Sequence, residues 1–109
     1  MLELSPLRAC AMLDLPAEQL EQVRRIVKLH LDGKEEVFAF GSRTTGNAKK
    51  FSDLDLMVKA DCAVSWRTLA RLRESFENLN LPITVDVVDW SSCSDVFRGL
   101  VAAQLVRIV

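Results

Sequence analysis

A chain of 109 residues, half of them apolar and 27% charged, has the make-up of one compact globular domain, 1–109, with no room for a second. A domain of that size buries about two-thirds of its unfolded surface, so neither a disulfide nor a structural metal is needed for a core. Fourteen Lys and Arg against fifteen Asp and Glu leave a net charge of -1, which is not the balance of a protein that lives on nucleic-acid backbone.

In chain order, the opening stretch Met1-Leu2-Glu3-Leu4-Ser5-Pro6 lacks a basic start and is interrupted by Glu3 and Pro6, so no signal peptide is expected. From Pro16 to Leu31 the residues Leu20, Val23, Ile26, Val27 and Leu31 recur at helical spacing, with Asp32-Gly33 as the stop. Val37-Phe38-Ala39-Phe40, halted by Gly41, reads as a buried strand. Gly41 to Ser52 is a loop by composition, and Asp53 to Val58 resumes a strand. Ser65 caps a second helix carrying Leu69, Leu72, Phe76 and Leu79, ended by Asn80 and Pro82. Ile83 to Asp89 is a third strand. Ser91 to Ser94 offers caps for a third helix with Phe97, Leu100 and Val101, and Leu105 to Val109 suits a short closing strand. The order predicts an α/β (α+β) fold, a small mixed sheet flanked by helices.

Cys10, Cys62 and Cys93 are widely separated and lack C-x-x-C spacing, as expected of reduced thiols in a cytoplasmic protein. His30 is the one histidine, which excludes a histidine-rich metal site. No apolar run approaches a membrane span.

Chemistry concentrates in three acids. Asp53 and Asp55 are two apart in a predicted strand, so both leave one face, roughly 7 Å apart at Cα. Such neighbours repel unless something positive sits between them. Asp86 stands between valines in the third strand, where an unpaired charge is costly if buried, so it is expected to face Asp53 and Asp55. Asp89 has the opposite parity and should not join them. A D-x-D pair alone is more often two strand-end acids matched by Arg or Lys; the third acid argues for a shared site. Three carboxylates without histidine suit a hard cation, Mg²⁺ or Mn²⁺.

Gly41-Ser42 follows the first strand directly. A strand ending in Gly-Ser before a helical turn aims backbone N–H groups outward as an anion site, and glycine admits a phosphate where a Cβ would block it. Arg43, Lys49 and Lys50 can add charge to the same mouth, although solvated surface charge is as good a reading of Arg43 and Lys50.

The combination is more specific than its parts. Phe40-Gly41-Ser42-Arg43-Thr44-Thr45-Gly46, ten residues from Ser42 to Asp53, then Ser52-Asp53-Leu54-Asp55-Leu56 and a later strand acid resemble the DNA polymerase beta-like nucleotidyltransferase superfamily. Within it, the sequence is most similar to the minimal nucleotidyltransferase (MNT) domains, over nearly the whole chain. The resemblance implies that Gly41 and Ser42 contact the triphosphate of ATP, with Arg43 and Lys50 as lesser contacts. It implies that Asp53, Asp55 and Asp86 are catalytic and bind two Mg²⁺ ions, and that a hydroxyl attacks the α-phosphate with pyrophosphate leaving. It further implies an antitoxin that transfers AMP to a tyrosine of a HEPN-domain (higher eukaryotes and prokaryotes nucleotide-binding) toxin.

Two other readings stand beside this one. The domain is a binding module that neutralises a HEPN protein by contact, or it modifies a small molecule such as an aminoglycoside, or an RNA end, which the near-neutral charge disfavours. Val96, Phe97, Val101, Leu105 and Val106 are too many for one helical stripe and predict an apolar contact patch, for such a partner or for a homodimer.

Overall fold

The computed structural model describes residues 13–109; Met1 to Pro6 and Cys10 lie outside them. Helix α1 spans Ala17–His30, and its ladder closes where the Leu31 N–H returns to the Val27 carbonyl and the chain turns extended. Strand β1 is Glu36–Phe40, and its alternation sends Val37 and Ala39 to one face and Phe38 and Phe40 to the other. A four-residue helical turn, α2, Ser42–Thr45, follows at once and ends on Gly46 at φ 81°. The expected loop from Gly41 to Ser52 therefore begins as helix.

Strand β2 is Leu54–Lys59, so Asp53 precedes the strand instead of opening it. Helix α3, Trp66–Asn78, starts where the Ser65 side chain accepts the Thr68 N–H, as its position before the apolar stripe predicts. Strand β3 is Val85–Asp89, helix α4 is Asp95–Val101 with Ser94 accepting the Phe97 N–H, and β4 is the short Val106–Arg107.

The sheet order is β3-β2-β1-β4, with β2 antiparallel to β1 and parallel to β3. This is the mixed sheet expected. On one face α1 and α3 deliver Val23, Val27, Leu69, Leu72 and Phe76 onto Val37, Ala39, Leu54, Leu56, Val58, Val85 and Val87, all buried. Each Val, Leu or Phe among them contributes about 1.5–3 kcal/mol relative to exposure, so this layer fixes the sheet. On the second face α4 covers only part. Val101 packs on Phe40 and Met57, and Phe97 meets Phe40 edge-on at 6.0 Å between ring centroids.

Register sets what remains open on that second face. Phe38, Met57 and Val88 form one apolar row across β1, β2 and β3, beneath α4. The next row is Phe40, Asp55 and Asp86. The apolar patch expected at this end is narrower than anticipated: Val101 is buried and Phe97, Leu105 and Val106 are half-buried, while Val96 and Leu100 are the exposed pair on α4. Among the described residues no helix is long and apolar enough to cross a membrane.

Candidate active site

Asp55 and Asp86 are register partners across the parallel β2–β3 pair. Both lie in the row that begins at Phe40, beyond the part that α4 covers, and Asp53 lies at the same end, two residues before Asp55 and exposed. Asp55 is half-buried, while Asp86 is exposed. The expectation of a buried charge inside β3 is corrected here. The strand is the edge of the sheet, and its valines 85 and 87 point into the helical layer while Asp86 points away from it. Burial pushes the Asp55 carboxyl above its ordinary range, and the negative charges of Asp86 and Asp53 push it further in the same direction.

The three carboxylates share an end of the sheet, near enough for Asp86 and Asp53 both to act on Asp55. Among the described residues, no group of three His, Cys, Asp or Glu side chains is drawn close enough to hold a metal ion as it stands. The donor set fits a hard divalent cation nonetheless: it is oxygen-only and flexible, and a cation among the three would remove the repulsion now acting on Asp55.

Gly41 completes the floor. Its φ of 83° and ψ of -151° suit glycine alone, and a Cβ there would lie 2.5 Å from Oδ2 of Asp55. The turn connecting β1 to α2 is thus pressed directly against the central carboxylate. Its carbonyl accepts from Thr44 N–H at 3.0 Å and from the Thr44 and Thr45 hydroxyls at 3.1 Å each, which pins the turn. The Gly41 N–H donates to Oε1 of Gln104 at 3.0 Å. Ser42 begins α2 beside it, half-buried.

Two expected phosphate contacts have other surroundings. Arg43 is 4% exposed, and its guanidinium turns inward to the carbonyls of Asp14, Lys49, Lys50 and Ser52. Assigning it to phosphate is corrected: its donors are already taken by main chain. Lys50 is exposed, with its ammonium 5.4 Å from the centre of the Phe51 ring. Its carbonyl is one of the four that hold Arg43.

Sequence reasoning missed two residues. Gln104, 63 positions from Gly41, carries no local signal, and only the folded topology brings it to the turn. Asp89 is 6% exposed and works as a cap, accepting from Val64 N–H at 3.3 Å, Ser91 N–H at 3.2 Å and the Ser91 hydroxyl at 2.8 Å. The Asp89-x-Ser91 spacing is the signal that could have found it. His30 lies between α1 and α3, its Nε2 2.6 Å from Oγ of Ser75, and takes no part in this site.

Residues 21–109 match the family described as polymerase beta, nucleotidyltransferase. The chain belongs to that family. This nucleotidyltransferase is 40% identical, over 98 residues, to the probable protein adenylyltransferase MntA of Haemophilus influenzae, spanning 90% of this chain and 85% of the relative. In fold, the nucleotidyltransferase resembles the solved structure of a toxin–antitoxin with AMP-PNP, with a TM-score of 0.69 at 22% identity, covering 83% of this chain and 72% of that one. It also resembles a structure of the tri-AMPylated Shewanella oneidensis HEPN toxin in complex with MNT antitoxin. There the TM-score is 0.62 at 20% identity, covering 83% of this chain and 68% of the other.

Proposed function

We propose that this nucleotidyltransferase is the antitoxin of a toxin–antitoxin pair and transfers AMP from ATP to a tyrosine of a HEPN-domain partner in the cytoplasm. The reading is supported by 40% identity across 90% of the chain to a probable protein adenylyltransferase. The observation that carries it at the level of chemistry is the contact of Gly41 with Asp55, itself in register with Asp86. A loop suited to phosphate and a row of carboxylates suited to divalent cations are two sides of one contact.

In this reading Gly41 and Ser42 receive the triphosphate, and Lys50, on a mobile four-carbon stem, turns from Phe51 to the phosphates. Asp53, Asp55 and Asp86 hold two Mg²⁺ ions, for which Mn²⁺ can substitute; when bound, these neutralise charge on the attacking and leaving oxygens. Asp86, exposed at the sheet edge, is the carboxylate an incoming hydroxyl reaches first, and it accepts the hydroxyl proton. The tyrosine oxygen bonds to the α-phosphorus as the bond from that phosphorus to the pyrophosphate oxygen breaks.

The test is to incubate the chain with a HEPN-domain protein, ATP and Mg²⁺, and read the intact mass of the HEPN protein. The expected result is addition of AMP, mapped to tyrosine and lost with Asp53→Asn/Asp55→Asn. An unmodified HEPN protein in the presence of a folded, ATP-binding enzyme would overturn the proposal.

A further inference from the structure

Asp53 has the least support of the three carboxylates. It is exposed and precedes the first residue of β2. The residue before it is held firmly. The Ser52 carbonyl accepts from Arg43 twice, from Nε at 3.2 Å and from Nη2 at 3.0 Å. The same guanidinium reaches the carbonyls of Lys49 at 3.4 Å and Lys50 at 3.3 Å through Nη2, and that of Asp14 at 2.7 Å through Nη1. The turn closes on itself as well, with Ser52 N–H to the Lys49 carbonyl at 3.1 Å and Lys49 N–H to the Ser52 hydroxyl at 2.8 Å. On the far side of Asp53, Leu54 N–H donates to the Thr84 carbonyl at 2.9 Å.

From this geometry we infer that Arg43 is a positioning residue for Asp53. Its backbone belongs to the turn that begins at Gly41, and its buried side chain fixes the Lys49–Ser52 turn that delivers the carboxylate. One residue thereby sets the spacing between the loop suited to phosphate and the carboxylate suited to metal, rests on the reading of Asp53 given above, and touches neither ligand. A planar fork with donors in fixed directions is required to hold four carbonyls from two segments, Asp14 and the Lys49–Ser52 turn; the single ammonium of lysine does not have them. Burying a cation is costly without such partners, so a less committed residue at 43 would be solvated and the turn freed.

The test compares the wild type with Arg43→Lys, Asp53→Asn and the double variant, reading Mn²⁺ affinity by electron paramagnetic resonance and fold by circular dichroism melting. Arg43→Lys is expected to weaken Mn²⁺ binding by about 10–100-fold, the range for residues that orient a metal ligand. The double variant should bind no more weakly than Asp53→Asn alone, because the two act through one group. Wild-type affinity in a folded Arg43→Lys protein, with Asp53→Asn impaired, would overturn the positioning role and leave the metal assignment intact. Wild-type affinity in Asp53→Asn would overturn both. Additive losses in the double variant would also overturn the inference. Should Arg43→Lys fail to fold, hydrogen exchange of the wild-type Arg43 Nε–H decides: slow exchange supports the clamp, and exchange as fast as a free arginine overturns it.

Discussion

Gly41 and Asp55 are so close that a methyl group on the glycine would stand 2.5 Å from a carboxylate oxygen. Gly41→Ala is therefore expected to fail twice. Its backbone angles lie where a side chain costs on the order of 1–3 kcal/mol, and the new carbon collides with the carboxylate proposed to receive a cation. Melting should fall by an amount matching that cost, and AMP transfer by at least about 10²-fold, since a site misplaced by an ångström loses on that order. A variant that melts lower but transfers AMP at the wild-type rate would reduce the contact to a folding device.

Asp53→Asn/Asp55→Asn should cut activity by at least about 10³-fold, equivalent to about 4 kcal/mol of barrier. The metal-free fold should melt no lower than the wild type, because the substitution removes like charges that now oppose one another. The pH dependence follows with a definite sign. The Asp55 carboxyl lies above its ordinary range through burial and through Asp86 and Asp53, so the folded protein holds that proton more tightly than the unfolded chain. Its contribution to metal-free stability is complete below the ordinary carboxylate range and is lost as pH rises through the raised value. Metal binding runs the opposite way, strengthening through the same window. Asp55→Asn should flatten both profiles, as melting and Mn²⁺ titrations across the acid range will read.

If the proposed roles hold, Asp86 and Asp89 should separate function from folding three positions apart. Asp86→Asn leaves an exposed side chain on an edge strand and should change stability by less than about 0.5 kcal/mol while removing most activity. Asp89→Ala removes the acceptor for two N–H groups and a hydroxyl around Val64 and Ser91, and should cost about 1–3 kcal/mol of stability. Activity in Asp89→Ala should persist at temperatures where the protein is folded. The reverse pattern in denaturant melts and transfer assays would mean the roles have been exchanged.

Most of the fold was legible because local and global signals agree. Ser65 and Ser94 sit where caps are needed, and the apolar stripe of α3 and the alternation of β1 match the faces they bury. Gly41-Ser42 with the D-x-D pair was legible for the same reason: the pattern is local. What escaped depends on layers. Nothing in the run Thr84 to Asp89 says that β3 is an edge, so Asp86 reads as buried until the sheet order is known. Arg43 in a basic, polar loop reads as a phosphate contact, and only the folded turn offers its guanidinium four carbonyls first.

Gln104 carries the last expectation. Its amide oxygen accepts the Gly41 N–H from a segment beyond α4, so the turn against Asp55 is held from a second direction. Gln104→Leu keeps the approximate volume and removes the acceptor. The loss of a single neutral hydrogen bond predicts a stability change of about 0.5–1.5 kcal/mol, small enough for the protein to remain folded at assay temperature. The kinetic consequence depends on what the bond does. If it orients the Gly41 peptide for the triphosphate, the released turn should raise KM for ATP more than it lowers kcat, because the affected interaction is with the bound nucleotide in ground and transition states alike. Gln104→Glu provides the control: it keeps an oxygen within reach of the Gly41 N–H but adds a negative charge beside the phosphates, so KM should rise while melting stays near the wild type. Both variants with unchanged KM for ATP would mean that the turn is fixed by the Thr44 and Thr45 hydroxyls and that Gln104 only ties down the end of the chain.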